Sequence, residues 1–102
     1  MSMVDVAEIG KDVLSALHYR SLEDAGRSLV YVSSLAKVSE YKGEDQQFEK
    51  KYGTSFEVFK RRVDARTDEE DFDEEEDLMA WQFAHESRLY WEAKTRELEQ
   101  CF

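Results

Sequence analysis

Carboxylates are the most concentrated chemical groups in this chain. Nine of its 24 acidic residues lie in one ten-residue segment, 68–77, which contains no basic residue. Within it, Glu74 and Asp77 form a Glu-x-x-Asp pair, a spacing that can hold Mg²⁺ for nucleotide hydrolysis when a facing helix supplies further carboxylates. The long helix predicted for residues 21–52 carries no matching Glu-Glu-x-x-Glu motif. The acidic segment also lacks the glycine and the final glutamate of an EF-hand. A metal-dependent nucleotide hydrolase therefore remains only an alternative.

Histidine and cysteine are too sparse for a recognisable catalytic or zinc site. His18 has no second histidine or cysteine at ligand spacing. His85 lies on an apolar helix face four residues after Trp81, which predicts a packed histidine that bonds a backbone group or a carboxylate. Cys101 stands next to the C-terminus and is predicted to be a free thiol. We therefore expect no catalytic residues, no metal, no cofactor and no enzymatic activity.

The acidic segment is the candidate binding site. Clustered carboxylates accelerate association with a basic protein surface, and Phe72 would supply an apolar anchor among them. The alternative is a solvated connector that also caps a helix. The predicted partner-binding residues are Asp68, Glu69, Glu70, Asp71, Phe72, Asp73, Glu74 and Glu75.

Basic side chains do not form the continuous face that nucleic-acid binding requires. The clusters are Lys50-Lys51 and Lys60-Arg61-Arg62 with Arg66, and the acidic segment follows the second of these directly. The acids would partly neutralise that cluster, so we expect no nucleic-acid partner.

Composition indicates the fold class that must position these residues. The 102 residues are 41% hydrophobic, with no proline and four glycines, whereas a β-rich domain of this length needs many turn residues. No apolar run is long enough to span a membrane, and the first residues lack the features of a secretory signal. A single cysteine fits a reducing cytoplasm. We predict one all-α domain over residues 1–102.

Apolar spacing and capping residues divide the domain into four helices. Ser21-Leu-Glu-Asp24 and Thr54-Ser-Phe-Glu57 resemble helix starts, with Ser21 and Thr54 as caps. Gly53 is predicted to end the long helix in the left-handed conformation. The predicted helices span about residues 4–18, 21–52, 55–65 and 73–100, with an acidic connector at 67–77.

The last predicted helix is apolar on two sides. One broad arc carries Leu78, Trp81, Ala84, His85, Leu89, Trp91 and Leu98, and a separate strip carries Met79, Phe83 and Tyr90. Two helices of roughly 40–50 Å, joined by a short one, would form a long hairpin that leaves one apolar flank open. Pairing with a second copy into a homodimeric helical bundle is the simplest way to cover that flank.

Residues 46–100 resemble a known group. The stretch from Phe48 to Phe59 matches a Lys-Tyr-Gly-x-Ser/Thr-Phe-Glu-x-Phe pattern, and Asp77-Leu-Met-Ala-Trp81 matches an Asp-x-x-x-Trp element after an acidic connector. In these features the chain is similar to small, acidic, helical proteins of archaea and cyanobacteria, some of which are suspected antitoxins of toxin–antitoxin pairs. The resemblance implies a basic, RNase-like toxin as partner.

Three functions remain open at this point. The first is a non-enzymatic protein–protein interaction module that neutralises a basic partner such as a toxin through its acidic segment. The second is a structural or scaffold homo-oligomer without a specific ligand, and the third is the metal-dependent nucleotide hydrolase.

Overall fold

The computed structural model describes residues 6–66 and 71–101. It contains four α-helices and no strand within those ranges: α1 (Val6–Ala16), α2 (Leu22–Tyr52), α3 (Phe56–Asp64) and α4 (Phe72–Glu99). The predicted all-α class is confirmed. Helix α4 begins at Phe72, so residues 72–77 of the predicted connector are helical.

The chain divides into two compact units within α2, one ending at Ser33 and the other beginning at Ser34. In the first unit, α1 ends where His18 adopts a positive φ of 66°. Helix α2 then starts as the sequence predicts, because Ser21 Oγ accepts a hydrogen bond from the Asp24 amide at 3.0 Å. The Asp24 carboxylate reciprocates by accepting from the Arg20 amide, also at 3.0 Å.

The second unit consists of the end of α2, α3 and α4. Gly53 ends α2 with a φ of +66°, as predicted. Ser55, and not Thr54, is the N-cap of α3, because its hydroxyl accepts from the Val58 amide at 3.3 Å. The prediction that Thr54 caps this helix was therefore wrong by one residue.

Helices α2 and α4 run antiparallel in this unit. Tyr52 near the end of α2 bonds Asp77 near the start of α4, whereas Ser34 bonds Thr95 near the end of α4. Both contacting rows have the alternating three- and four-residue spacing of coiled-coil seams. The α2 row is Ser34, Val38, Tyr41, Asp45, Phe48 and Tyr52, and the α4 row is Asp77, Trp81, Ala84, Arg88, Trp91, Thr95 and Leu98.

An aromatic core closes the end of the unit where α3 lies. Trp81 is fully buried, and Phe59 is 1% exposed. The indole of Trp81 stacks against Phe48 at 5.7 Å and Tyr52 at 6.0 Å between ring centroids. This packing fixes which face of α4 points inward.

The opposite face of α4 is exposed. Leu89, predicted to lie on the inward arc, is 51% exposed, because the arc that α2 and α3 cover is narrower than the apolar arc of the sequence. In the first unit, Leu22, Leu29 and Val32 of α2 are also more than half exposed. No helix in the described ranges combines the length and apolarity needed to cross a membrane.

Candidate functional site

The acidic segment takes several separate roles at the start of α4. Asp68, Glu69 and Glu70 lie outside the described residues. Asp71 is the N-cap, and its Oδ1 accepts from the amides of Asp73 at 3.1 Å and Glu74 at 3.2 Å. The cap satisfies two of the free amides of the first turn.

Two acids of the segment pair with cations of the same chain. Glu74 forms an ion pair with Arg66. Asp77 accepts hydrogen bonds from Lys51, at 2.6 Å, and from the Tyr52 hydroxyl. The hydrogen bond from Lys51, followed by that from Tyr52, holds the pKa of Asp77 below its ordinary value. Both carboxylates of the Glu-x-x-Asp pair therefore stabilise the fold.

The described residues contain no group of three or more His, Cys, Asp or Glu side chains arranged to hold a metal ion.

The basic clusters are partly neutralised by acids of the same chain. Lys60 pairs with Asp64 at 2.7 Å, in addition to the pairs that Lys51 and Arg66 make with the acidic segment.

Two further exposed acids of the segment are close in sequence to an exposed aromatic side chain. Phe72 is 72% exposed at the first position of α4. Asp73 and Glu75 are exposed, and neither makes a side-chain ion pair in the part of the chain described. The structure thus brings an uncovered apolar side chain and exposed carboxylates that form no ion pair among the described residues together on one helical turn.

That exposed turn continues into a longer row along α4. Met79 is 75% exposed, Phe83 62% and Tyr90 55%. With Phe72 they lie within an arc of about 40° at 100° per residue. Two exposed glutamates complete the three- and four-residue spacing. We call this the outer row: Phe72, Glu76, Met79, Phe83, Glu86 and Tyr90.

A buried carboxylate lies on the other side of α4. Asp45 is fully buried, and its Oδ1 accepts a hydrogen bond from Trp81 Nε1 at 2.7 Å. Its Oδ2 lies 3.1 Å from His85 Nδ1 and 3.0 Å from Arg88 Nη1. Burial raises the pKa of Asp45, but the hydrogen bonds from these three side chains outweigh burial, so its pKa lies below the ordinary value.

His85 has the structural role that the sequence predicts. In addition to Asp45, its Nε2 lies 3.4 Å from a carboxylate oxygen of Glu57, and its ring stacks on Phe56 at 4.7 Å between centroids. Cys101 is an exposed free thiol, also as predicted. The histidine therefore links α2, α3 and α4.

Sequence reasoning missed Asp45, Ser34 and Thr95 as inward-facing polar residues. Ser34 and Thr95 are both buried and bond each other through their hydroxyls at 3.0 Å. The sequence does contain a pattern that indicates their inward position, because Ser34 and Asp45 continue the alternating three- and four-residue spacing of Tyr41 and Phe48. A search for apolar residues alone selects Leu35, which is 41% exposed, and omits Asp45.

Comparison of the chain with protein-family models, with curated proteins and with solved structures finds no match.

Proposed function

We propose that this protein is a non-enzymatic protein–protein interaction module that binds a basic protein partner through the acidic start of α4. In this proposal the partner is neutralised much as an antitoxin neutralises a basic toxin. Asp71 and Glu74 are used by the fold, so the binding residues are Phe72 and the other carboxylates of segment 68–75: Asp68, Glu69, Glu70, Asp73 and Glu75.

The observation that carries the proposal is the exposure of Phe72 beside exposed acids that form no ion pair among the described residues. A phenylalanine that is 72% exposed contributes little to the stability of its own chain. The neighbouring carboxylates of Asp73 and Glu75 are exposed as well. Negative charge of this kind attracts a basic surface over long range, and an apolar anchor adds affinity once the surfaces meet.

We also propose that two copies pair through the first unit. Leu22, Leu29 and Val32 are 71%, 67% and 59% exposed on α2, and Leu17 at the end of α1 is 59% exposed. Exposed apolar side chains that together form a large patch mark protein interfaces, and in this proposal these four side chains contribute to such a patch. These residues are distinct from segment 68–75.

The acidic segment is tested with a variant that spares the acids used by the fold. Asp71, Glu74 and Asp77 stay, and amides replace the carboxylates of Asp68, Glu69, Glu70, Asp73 and Glu75. A matched control carries five amide substitutions at exposed acids elsewhere: Asp12, Glu40, Glu44, Glu49 and Glu97. Both variants lose the same amount of negative charge.

The tagged wild-type protein and the two variants are then used to capture partners from the source organism, and captured proteins are identified and purified. We expect wild type and the control to bind one basic protein with similar affinity, which falls as salt rises. The segment variant should bind it at least about tenfold more weakly. Equal affinity for wild type and the segment variant contradicts the assigned site. If no basic protein is captured, the scaffold function is favoured.

A further inference from the structure

The outer row has the form of a second coiled-coil seam. Its six positions follow one another at intervals of four, three, four, three and four residues, and they extend about 27 Å along α4. The first such seam of this helix is already covered by α2 and α3, with Trp81 and Ala84 fully buried. The outer row carries two phenylalanines, a methionine and a tyrosine that are each more than half exposed. An apolar row with this spacing fits a second helix lying alongside α4.

Charge within the row restricts which helix can lie there. Glu76 and Glu86 occupy its second and fifth positions, and both are exposed. Glu86 accepts a hydrogen bond from the neutral Gln82 at 3.0 Å, and neither glutamate makes an ion pair within the described residues. A covering helix must therefore place positive groups at two points about 15 Å apart.

The outer row of a second copy does not meet that requirement. If two outer rows overlap fully in parallel, Glu76 lies against Glu76 and Glu86 against Glu86. If they overlap fully in antiparallel orientation, Glu76 lies against Glu86 at both ends, because the row is symmetric about its middle. Like charges brought together at a helix interface are destabilising. Charge complementarity thus favours a different, basic partner over the pairing of two outer rows.

We propose that the outer row of α4 binds an amphipathic basic helix of the partner protein, with apolar side chains against Phe72, Met79, Phe83 and Tyr90 and with Lys or Arg opposite Glu76 and Glu86. This inference rests on the proposed function, to which it adds the shape and chemistry of the partner element. The acidic segment attracts the partner, and the outer row supplies the apolar contact area. Phe83 makes an edge-to-face contact with Tyr41, at 5.8 Å between centroids, and still exposes 62% of its surface.

A pair of synthetic peptides tests the inference without the natural partner. Both are amphipathic helices with six positions at the spacing of the outer row, apolar at four and charged at the second and fifth. One peptide carries Lys at the charged positions, and the other carries Glu. Because the pattern is symmetric, each peptide presents the same contacts in both orientations. A peptide with the composition of the Lys peptide in scrambled order controls for attraction by net charge alone.

Fluorescence anisotropy of the labelled peptides measures their affinity for the full chain. We expect the wild-type protein to bind the Lys peptide at least about tenfold more tightly than the Glu or scrambled peptide. In the double variant Glu76→Lys and Glu86→Lys, the preference should reverse toward the Glu peptide. Equal affinity for all three peptides, or no binding of the Lys peptide, overturns the inference.

A second variant separates this inference from the proposed function. Met79→Gln with Phe83→Gln replaces two exposed side chains, and circular dichroism verifies that the helices remain. We expect this variant to lose both the Lys peptide and the captured basic protein. If it keeps the captured protein while the five-amide segment variant loses it, the outer row is not the site although the proposed function stands. If both variants keep it, the proposed function fails as well. If wild type self-associates and this variant does not, a second copy occupies the row and the inference is wrong.

Discussion

Replacement of Asp45 by alanine should destabilise the protein more than any other change of a charged residue in the second unit. Asp45 is fully buried on α2, and it accepts hydrogen bonds from three side chains of α4. The substitution removes the acceptor and leaves the donors in place. Its cost is thus set by what happens to each donor.

The donors differ in what they can do after the substitution. Trp81 is completely buried, so its indole N–H is left without a partner, at a cost of about 1–3 kcal/mol. Arg88 retains a hydrogen bond to Glu92 at 2.9 Å, and a quarter of its side chain is exposed. We therefore assign about 1 kcal/mol to the loss at Arg88 and His85 together. The sum predicts a loss of about 2–4 kcal/mol in the free energy of unfolding.

Urea denaturation followed by tryptophan fluorescence measures this loss. Asp45→Asn should cost less than Asp45→Ala, because the amide oxygen can still accept from Trp81. Asp64→Ala is the matched control, since Asp64 is exposed and its pair with Lys60 spans one turn of α3. We expect little change in that variant.

A double-mutant cycle identifies the contact itself. Trp81→Phe removes the indole donor, so the costs of Asp45→Ala and Trp81→Phe should be less than additive, with a coupling energy of about 1 kcal/mol or more. A loss below 1 kcal/mol for Asp45→Ala, or additive costs in the cycle, would refute the assignment of Asp45 as a buried acceptor.

Four further predictions concern stability. The pKa of Asp45 in the folded protein lies below the unfolded value of about 3.9. The carboxylate therefore contributes to the free energy of unfolding above that pH, and this contribution is lost as the pH falls through the folded pKa. In acid denaturation curves, the difference in stability between wild type and Asp45→Asn should shrink. In urea denaturation, Gly53→Val should lower the free energy of unfolding by about 1–2 kcal/mol, which is more than the loss for Gly53→Asn. The reason is the φ of +66°, because no atom crowds the position and the cost comes from the backbone conformation alone. Equal losses would contradict the left-handed turn. Ser55→Ala should lower the melting temperature by an amount that corresponds to about 1 kcal/mol, and Thr54→Ala should lower it less; the reverse order would make Thr54 the cap. Trp81→Ala should cost about 3–5 kcal/mol by urea denaturation, and a loss below 1 kcal/mol would mean that the indole is not in the core.

Local signals in the sequence predict most of the helix ends. Ser21 and Gly53 act as the capping rules require, because these rules depend only on residues within one turn. The start of α3 differs by one residue because Thr54 and Ser55 are both suitable caps. The types of these two residues therefore do not decide which one is the cap, and the structure shows that it is Ser55.

The interior polar groups could not be identified from hydrophobicity. Asp45 is charged, and a charged residue in a helix usually faces solvent. Its burial depends on three donors that α4 supplies from residues at least 36 positions away. The available indication that Asp45 faces inward was the alternating three- and four-residue spacing, which continues without interruption through Ser34 and Asp45. This spacing identifies the inward face only when the facing row of α4 is known.

The acidic segment could be located from sequence but not resolved into its parts. The sequence predicts that the last helix starts at about residue 73, and more than one acid of the segment is of a type that can cap it; the structure shows that the cap is Asp71. Glu74 and Asp77 become structural only because Arg66 and Lys51 lie within reach in the folded chain. The carboxylates that remain, together with the outer row, form the surface that we propose for binding.

The oxidation rate of Met79 by hydroxyl radicals, with and without the purified basic partner, tests the proposed interface most directly. Met79 is 75% exposed and lies near the middle of the outer row. The account predicts rapid oxidation in the free protein and a severalfold slower rate when the partner is bound, with Phe83 protected in parallel. An unchanged rate at Met79 under saturating partner would contradict it.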